Sequence, residues 1–270
     1  MDTTTDFSKN KFWQHPFFRR GPWMVPLTLI AAVALWQALT VWVGFPPFIL
    51  PGPGLVWLRL LRALADGSLL RNAWTTLQEV LLGLLLGSSM ATVLGYLLAK
   101  SRLAERLLAP YLVASQAVPT VAIAPLLVIW FGPGMASKVL ICALIVLFPV
   151  LVNTMVGLRA VPENLRDLMY SLQATRWQML HYLEVPAALP VFLGGLRIGA
   201  TLSVIGAVVG EFVGADRGLG FLINVARGQY DTALVFVAIF TLIVMAIALY
   251  GIVLLLESRL LAWQPWRQQH

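Results

Sequence analysis

Charge is what this chain has least of. Only 11% of its 270 residues are charged, against 59% hydrophobic, where soluble domains carry roughly 25% charged residues. So few ionic groups cannot cover a water-facing globule, whose exterior is where its charges normally sit. With a mean hydropathy of +0.82, the sequence reads as a membrane protein solvated by lipid. Histidine is scarce too. His15, His181 and His270 all fall outside the apolar runs, which leaves the serines there without a base to activate them. No His-Glu-x-x-His pattern is present and no lysine follows a glycine, so neither a zinc protease nor a phosphate-cradling ATP loop is expected. The single cysteine, Cys142, excludes an intramolecular disulfide. The net charge of +7 does not point to nucleic acid, because the cations are scattered between apolar spans rather than gathered on one run. No catalytic residue, metal or cofactor is expected.

What is present is a series of long apolar segments. "PWMVPLTLIAAVALWQALTVWVG" is long enough to cross about 30 Å of hydrocarbon and reads as a retained first helix, because no small-residue cleavage site follows it. Further spans are expected at about 77–99, 107–131, 138–158, 191–213 and 232–256. The expected fold class is therefore an all-α polytopic membrane protein of six transmembrane helices. Its membrane-embedded body would run over 22–262, between tails at 1–21 and 263–270. Placing both termini in the cytoplasm puts about twice as many Lys and Arg on the inner side as on the outer, the bias that membrane topology favours. Lys138, Arg71 and Arg217 then fall in outer loops, and Arg197 at a helix entrance on the inner side.

Some features within the spans are candidates for function. Gly83, Gly87, Ala91 and Gly95 recur every fourth residue and make a smooth stripe on the second span, suited to close helix approach within the subunit or between subunits. In "SQAVPTVAIAPLLVIWFG", Pro119 and Pro125 each remove a backbone donor, so the third span should be kinked or broken. Such a break is tolerated where neighbouring helices or a wet cavity satisfy the freed carbonyls. Gln116, Pro119 and Pro125 are accordingly candidates for the translocation pathway. Glu211 joins them as the one ionisable group read inside a span, since such groups are costly in lipid. Its alternative is a hydrated carboxylate at the interface. The stretch 53–75 reads as an amphipathic surface helix.

One segment is too polar to span and too regular to be a plain loop: "LRDLMYSLQATRWQMLHYLEVPAALP", 165–190. Two short helices are expected, with Leu165, Leu168, Leu172, Met179 and Leu183 as an apolar face, and with Pro186 and Pro190 ending the segment and starting the next span. A bundle without an ATP site, carrying such an element within its inner loop at 159–190, suggests docking of an energising partner through apolar anchors with polar edges.

This segment resembles the "EAA" loop of binding-protein-dependent ABC importer permeases. The loop's pattern is Glu-Ala-Ala, three residues, Gly, nine residues, then Ile-x-Leu-Pro, and it falls on Asp167, Leu168, Met169, Gln173, Leu183, Val185 and Pro186. Only the proline is literal. Gln173 replaces the glycine that eases the turn, and glutamine would be strained if that turn needs a positive φ. The similarity extends over about 27–262, through "LPGPGLV", "VPTVAIAPLLVIWFGPG", "FPVLVNTMVGLRAVP", "LPVFLGGLRIGA" and "GEFVGADRGLG". These look like the nitrate, sulfonate and taurine group, and most like its thiamine-pyrimidine-precursor and riboflavin branch. Where that group often has arginine at the head of the second span, this chain has Glu79.

The resemblance implies a type I, MetI-like permease fold in a bacterial inner membrane. It implies a second permease subunit, identical or different, a cytoplasmic ABC ATPase dimer, and a periplasmic or lipid-anchored solute-binding protein. Asp167 to Pro186 would couple the ATPase to transport, with Arg166 and Arg176 as charged edges. An ion-coupled secondary carrier and a membrane scaffold are the rival classes. The carrier is disfavoured because a broken helix is evident in only one half of the chain.

Overall fold

The computed structural model describes residues 24–117 and 119–262, and all regular structure there is helical. The expected tails 1–21 and 263–270 lie outside the described residues. In chain order the helices are α1 (Met24–Trp42), α2 (Pro53–Ala65), α3 (Ser68–Lys100), α4 (Arg102–Ala117), α5 (Thr120–Phe131), α6 (Met135–Arg159) and α7 (Glu163–Ser171). They continue with α8 (Arg176–Met179), a π turn (Leu180–Glu184), α9 (Val185–Gly214), α10 (Leu219–Gly228) and α11 (Thr232–Leu260). Among the described residues, four helical stretches are long and apolar enough to cross a bilayer: Ser68–Lys100, Met135–Arg159, Arg176–Gly214 and Thr232–Leu260. Pro26–Trp42 and Thr120–Phe131 are apolar but shorter.

α3, α6 and α9 form the centre, because their small residues let backbones approach closely. A Cβ on Gly83 would collide with Cys142, and one on Gly87 would stand 2.6 Å from the Ala143 carbonyl oxygen. The small-residue stripe therefore lies against α6 of the same chain. Val80, Cys142, Ala200, Val204, Ala207, Leu249 and Val253 make one buried cluster where α3, α6, α9 and α11 meet. A second cluster, around Val56, Leu69, Leu222, Ile223 and Val237, joins α2, α10 and α11 at the end of the bundle where α3 begins. That end is called here the cap end, and the opposite one, carrying α7 and α8, the loop end. Large apolar side chains such as Ile30, Leu85, Val244 and Leu255 point outward, as expected where lipid is the solvent.

Several boundaries differ from the sequence reading. The amphipathic stretch 53–75 is two elements: α2 stops at Ala65, and Gly67 (φ +71) turns the chain into α3. α3 thus starts well before position 77 and, at 33 residues, is about 50 Å long. The third span is broken at Pro119, which caps α5, whereas Pro125 sits inside that helix. Polar residues at 216–217 hid α10, which follows α9 after a short turn. Pro186 and Pro190 do not start a new span either. The helical path runs on from Arg176 to Gly214, because the π turn widens the spiral just where Pro186 has no N–H to give an α-helical turn.

Candidate functional site

At the loop end, the chain builds two short helices with its own caps. α7 closes with Gln173 N–H bonded to the Tyr170 carbonyl (2.9 Å) and Ala174 N–H to that of Met169 (3.0 Å), the pairing of a Schellman motif. Gln173 occupies its left-handed position with φ +53, where glycine is usual. Thr175 then caps α8. Its hydroxyl accepts the Gln178 N–H, and the Gln178 side chain accepts the Thr175 N–H at 2.8 Å. This capping box is written in the sequence as Thr-x-x-Gln and was not singled out there.

The expected apolar face divides in two. Leu165, Leu168 and Leu172 are exposed, Leu172 at 68%, and are joined at the surface by Tyr170, Tyr182 and Trp177 at 71%. Met179 is buried and Leu183 half-buried, because α8 runs directly into α9 and its inner side continues α9's packed side. Asp167, Arg176 and Val185 are exposed, and Met169 and Pro186 half-buried. Arg166 is not a free edge: its Nη2 donates to the Leu158 carbonyl at 2.8 Å and ties α7 to the end of α6. Sequence reasoning also missed Glu184. Its side chain is 2% exposed and accepts a hydrogen bond from Lys100 Nζ at 2.5 Å, so the π turn is bonded to the end of α3. Arg159 grips Glu105 through two contacts of 2.5 and 2.6 Å and joins α6 to α4. Burying a carboxylate is tolerated only when such a partner is present.

At the cap end, Glu211 is 1% exposed, so it is not the hydrated interfacial carboxylate. Thr76 Oγ1 donates to its Oε1 at 2.7 Å, and the Gly220 N–H donates to its Oε2. Thr76 Oγ1 also accepts the Leu219 N–H, and Asn72 Oδ1 accepts the Gly218 N–H, both at 2.8 Å. The free N–H groups that begin α10 are thus satisfied by side chains of α3 and α9, as a buried helix start requires. Gly218 (φ +115) has no room for a Cβ, which would enter the Glu211 carboxylate.

Glu211 is also not the sole ionisable group in the long helices. Glu79 and Lys138 are buried beside it, and Lys138 is no outer-loop cation: its Nζ donates to the Pro133 and Gly214 carbonyls, the latter at 2.5 Å. Deeper in the bundle Arg197 lies well inside α9, pairs with Glu257 of α11, and sits over the Tyr250 ring at 5.5 Å. Glu79 and Lys138 escape notice because they stand at the very start of the apolar spans 77–99 and 138–158, and Arg197 because it reads as marking a helix entrance. Pro119 and Pro125 are exposed on the α4–α5 segment, whereas Glu211 is enclosed. The Gln116 side chain lies outside the described residues.

Comparison with known proteins decides the family. The family described as "Binding-protein-dependent transport system inner membrane component" matches residues 83–262. The chain belongs to this family. It is 48% identical over 240 residues to the riboflavin transport system permease protein RibX of Chloroflexus aurantiacus, covering 89% of this chain and 90% of that protein. It is 36% identical to the formylaminopyrimidine transport permease protein ThiX of Halalkalibacterium halodurans, with 90% and 95% covered. Among solved structures, the MetNI methionine ABC transporter in inward-facing conformations superposes with a TM-score of 0.65 at 17% identity, covering 73% of this chain and 97% of that one. This permease is therefore the membrane subunit of an ABC importer, a multi-pass transport component with a MetI-like fold.

Proposed function

We propose that this permease lines the path of a small heteroaromatic solute, riboflavin or a thiamine pyrimidine precursor, across a bacterial inner membrane. Similarity to the riboflavin and formylaminopyrimidine permeases supports that solute class, with sulfonate, taurine or nitrate as the second reading. Six crossings with both termini in the cytoplasm fit the four long helices, the shorter α1 and the broken α4–α5 pair. The permease works with a second permease subunit, a cytoplasmic ATPase dimer and an external solute-binding protein. Gln116, Pro119 and Pro125 belong to the pathway segment, while Glu211 acts on it indirectly by holding α10.

The observation that carries the coupling role is the apolar and aromatic surface of α7 and α8, left uncovered on a chain segment that continues without a break into α9. Nucleotide-driven closure of the ATPases would move α7 and α8, and through them α9 and the solute path. A partner can drive the transition only by binding one state better than the other. Arg166 and Lys100 fix the loop to α6 and α3, so the force is not lost in a slack linker.

Asp167→Arg and Leu172→Asp are expected to lower ATP-dependent uptake in membrane vesicles by at least about tenfold, the effect of losing a central apolar anchor or inverting an edge charge. The ATPase should also be released on purification. Normal uptake with full ATPase recovery in both variants would refute the coupling role. A cysteine at Asn164 is expected to resist impermeant thiol reagents in intact cells and one at Asp216 to react, with the buried native Cys142 contributing little background. The opposite pattern would invert the topology.

A further inference from the structure

The buried groups at the cap end do not balance. Glu79 and Glu211 lie within hydrogen-bonding reach of each other, although two ionised carboxylates offer only acceptors. Glu79 Oε2 is enclosed and has no donor among the described residues. Lys138 supplies one positive charge, spent on the Pro133 and Gly214 carbonyls. Two carboxylates against one ammonium leave a surplus negative charge among packed helices, and burial opposes such a surplus strongly.

We propose that Glu79 carries a proton, which it donates to ionised Glu211, and that this proton is what fastens α10 to α3 and α9. The two carboxyls are assigned different roles by their partners. Glu211 is the ionised member: it accepts from Thr76, Gly220 and Phe221, and it sits at the N-terminus of α10, where negative charge is favoured. The enclosed Oε2 of Glu79 meets no such donor among the described residues. With one proton between them and Lys138 as the ammonium, the cluster is neutral and every oxygen facing another has a hydrogen to share.

Other groups acting on the pair are Asp216 from the α9–α10 turn and the Cys142 thiol of α6. A cavity of about 230 Å³, lined by Thr75, Gln78, Glu79, Lys138, Asp216 and Arg217, adjoins Glu79 and gives the proton a route to water. Glu79 is thus a positioning residue. It acts on α10 through Glu211, and α10 closes the cap end of the bundle.

The experiment uses the purified permease–ATPase complex in lipid nanodiscs. In the infrared spectrum, wild type minus Glu79→Gln is expected to show the carbonyl stretch of a protonated carboxyl, shifted by deuterium exchange. Glu79→Gln should keep thermal stability and uptake within about twofold, because the amide N–H replaces the donated proton. Glu211→Gln should lower uptake by at least about tenfold, because its NH₂ faces donors that then have no acceptor. If that variant yields no complex, the infrared band and the Glu79→Gln arm decide. A missing band, or damage from Glu79→Gln equal to that from Glu211→Gln, would overturn the proposal.

Discussion

The two ends of this permease are stabilised in opposite ways. At the cap end, residues far apart in sequence share buried hydrogen bonds: Asn72 with Gly218, Thr76 with Leu219 and Glu211, and Lys138 with Gly214. At the loop end, the two short helices are shaped mainly by neighbours a few residues away, in the Schellman turn at Gln173 and the Thr175–Gln178 box, with the Arg166–Leu158 bond and the Lys100–Glu184 pair tying the segment to the bundle, and they leave Leu168, Leu172, Trp177 and Tyr182 uncovered. One end is cross-tied by hydrogen bonds within a single chain. The other is held in shape yet unfinished, as a surface awaiting a partner is.

Substitutions can break or sharpen this contrast. The largest effect is expected from Gly218→Ala. A side chain there meets an unfavourable φ and the Glu211 carboxylate together, and should cost about 3 kcal/mol, seen as lost folded complex or a lower melting temperature. At the loop end, Leu172→Asp should release the ATPase while moving the melting temperature of the permease by no more than an ordinary surface change, within about 0.5 kcal/mol. Equal destabilisation from both substitutions would erase the distinction. The smallest effect is expected from Gln173→Gly. Relief of the left-handed backbone, about 1–2 kcal/mol, is partly offset by glycine's greater entropy loss on folding, about 0.5–1 kcal/mol. Denaturation should show a net gain of at most about 1.5 kcal/mol.

The same contrast explains what could be read before the structure. The loop helices were legible because their signals are local: the apolar spacing of Leu165, Leu168 and Leu172, and the Gln173 substitution with its strain. The break at Pro119 was legible for the same reason, since a missing N–H disrupts its own turn. The cap cluster was not. Nothing near Glu79 in sequence announces Glu211 or Lys138, and drawing the spans from hydropathy alone placed Glu79 and Lys138 at their edges and left Thr76 outside. α10 stayed hidden because polar residues at 216–217 precede it and its apolar face packs against α3, α9 and α11, contacts that no single window displays. Glu184 looked like one more loop charge, although it is buried and bonded to Lys100.

The π turn at Leu180–Glu184 has a geometric corollary. One surplus residue in a spiral of 3.6 per turn swings everything beyond it through about 100°. The azimuth at which Gly195, Gly199, Gly206 and Gly210 face α6 is therefore set by this single inserted position, not by composition along α9. Any wheel plotted straight through from Arg176 points those glycines toward the wrong neighbour.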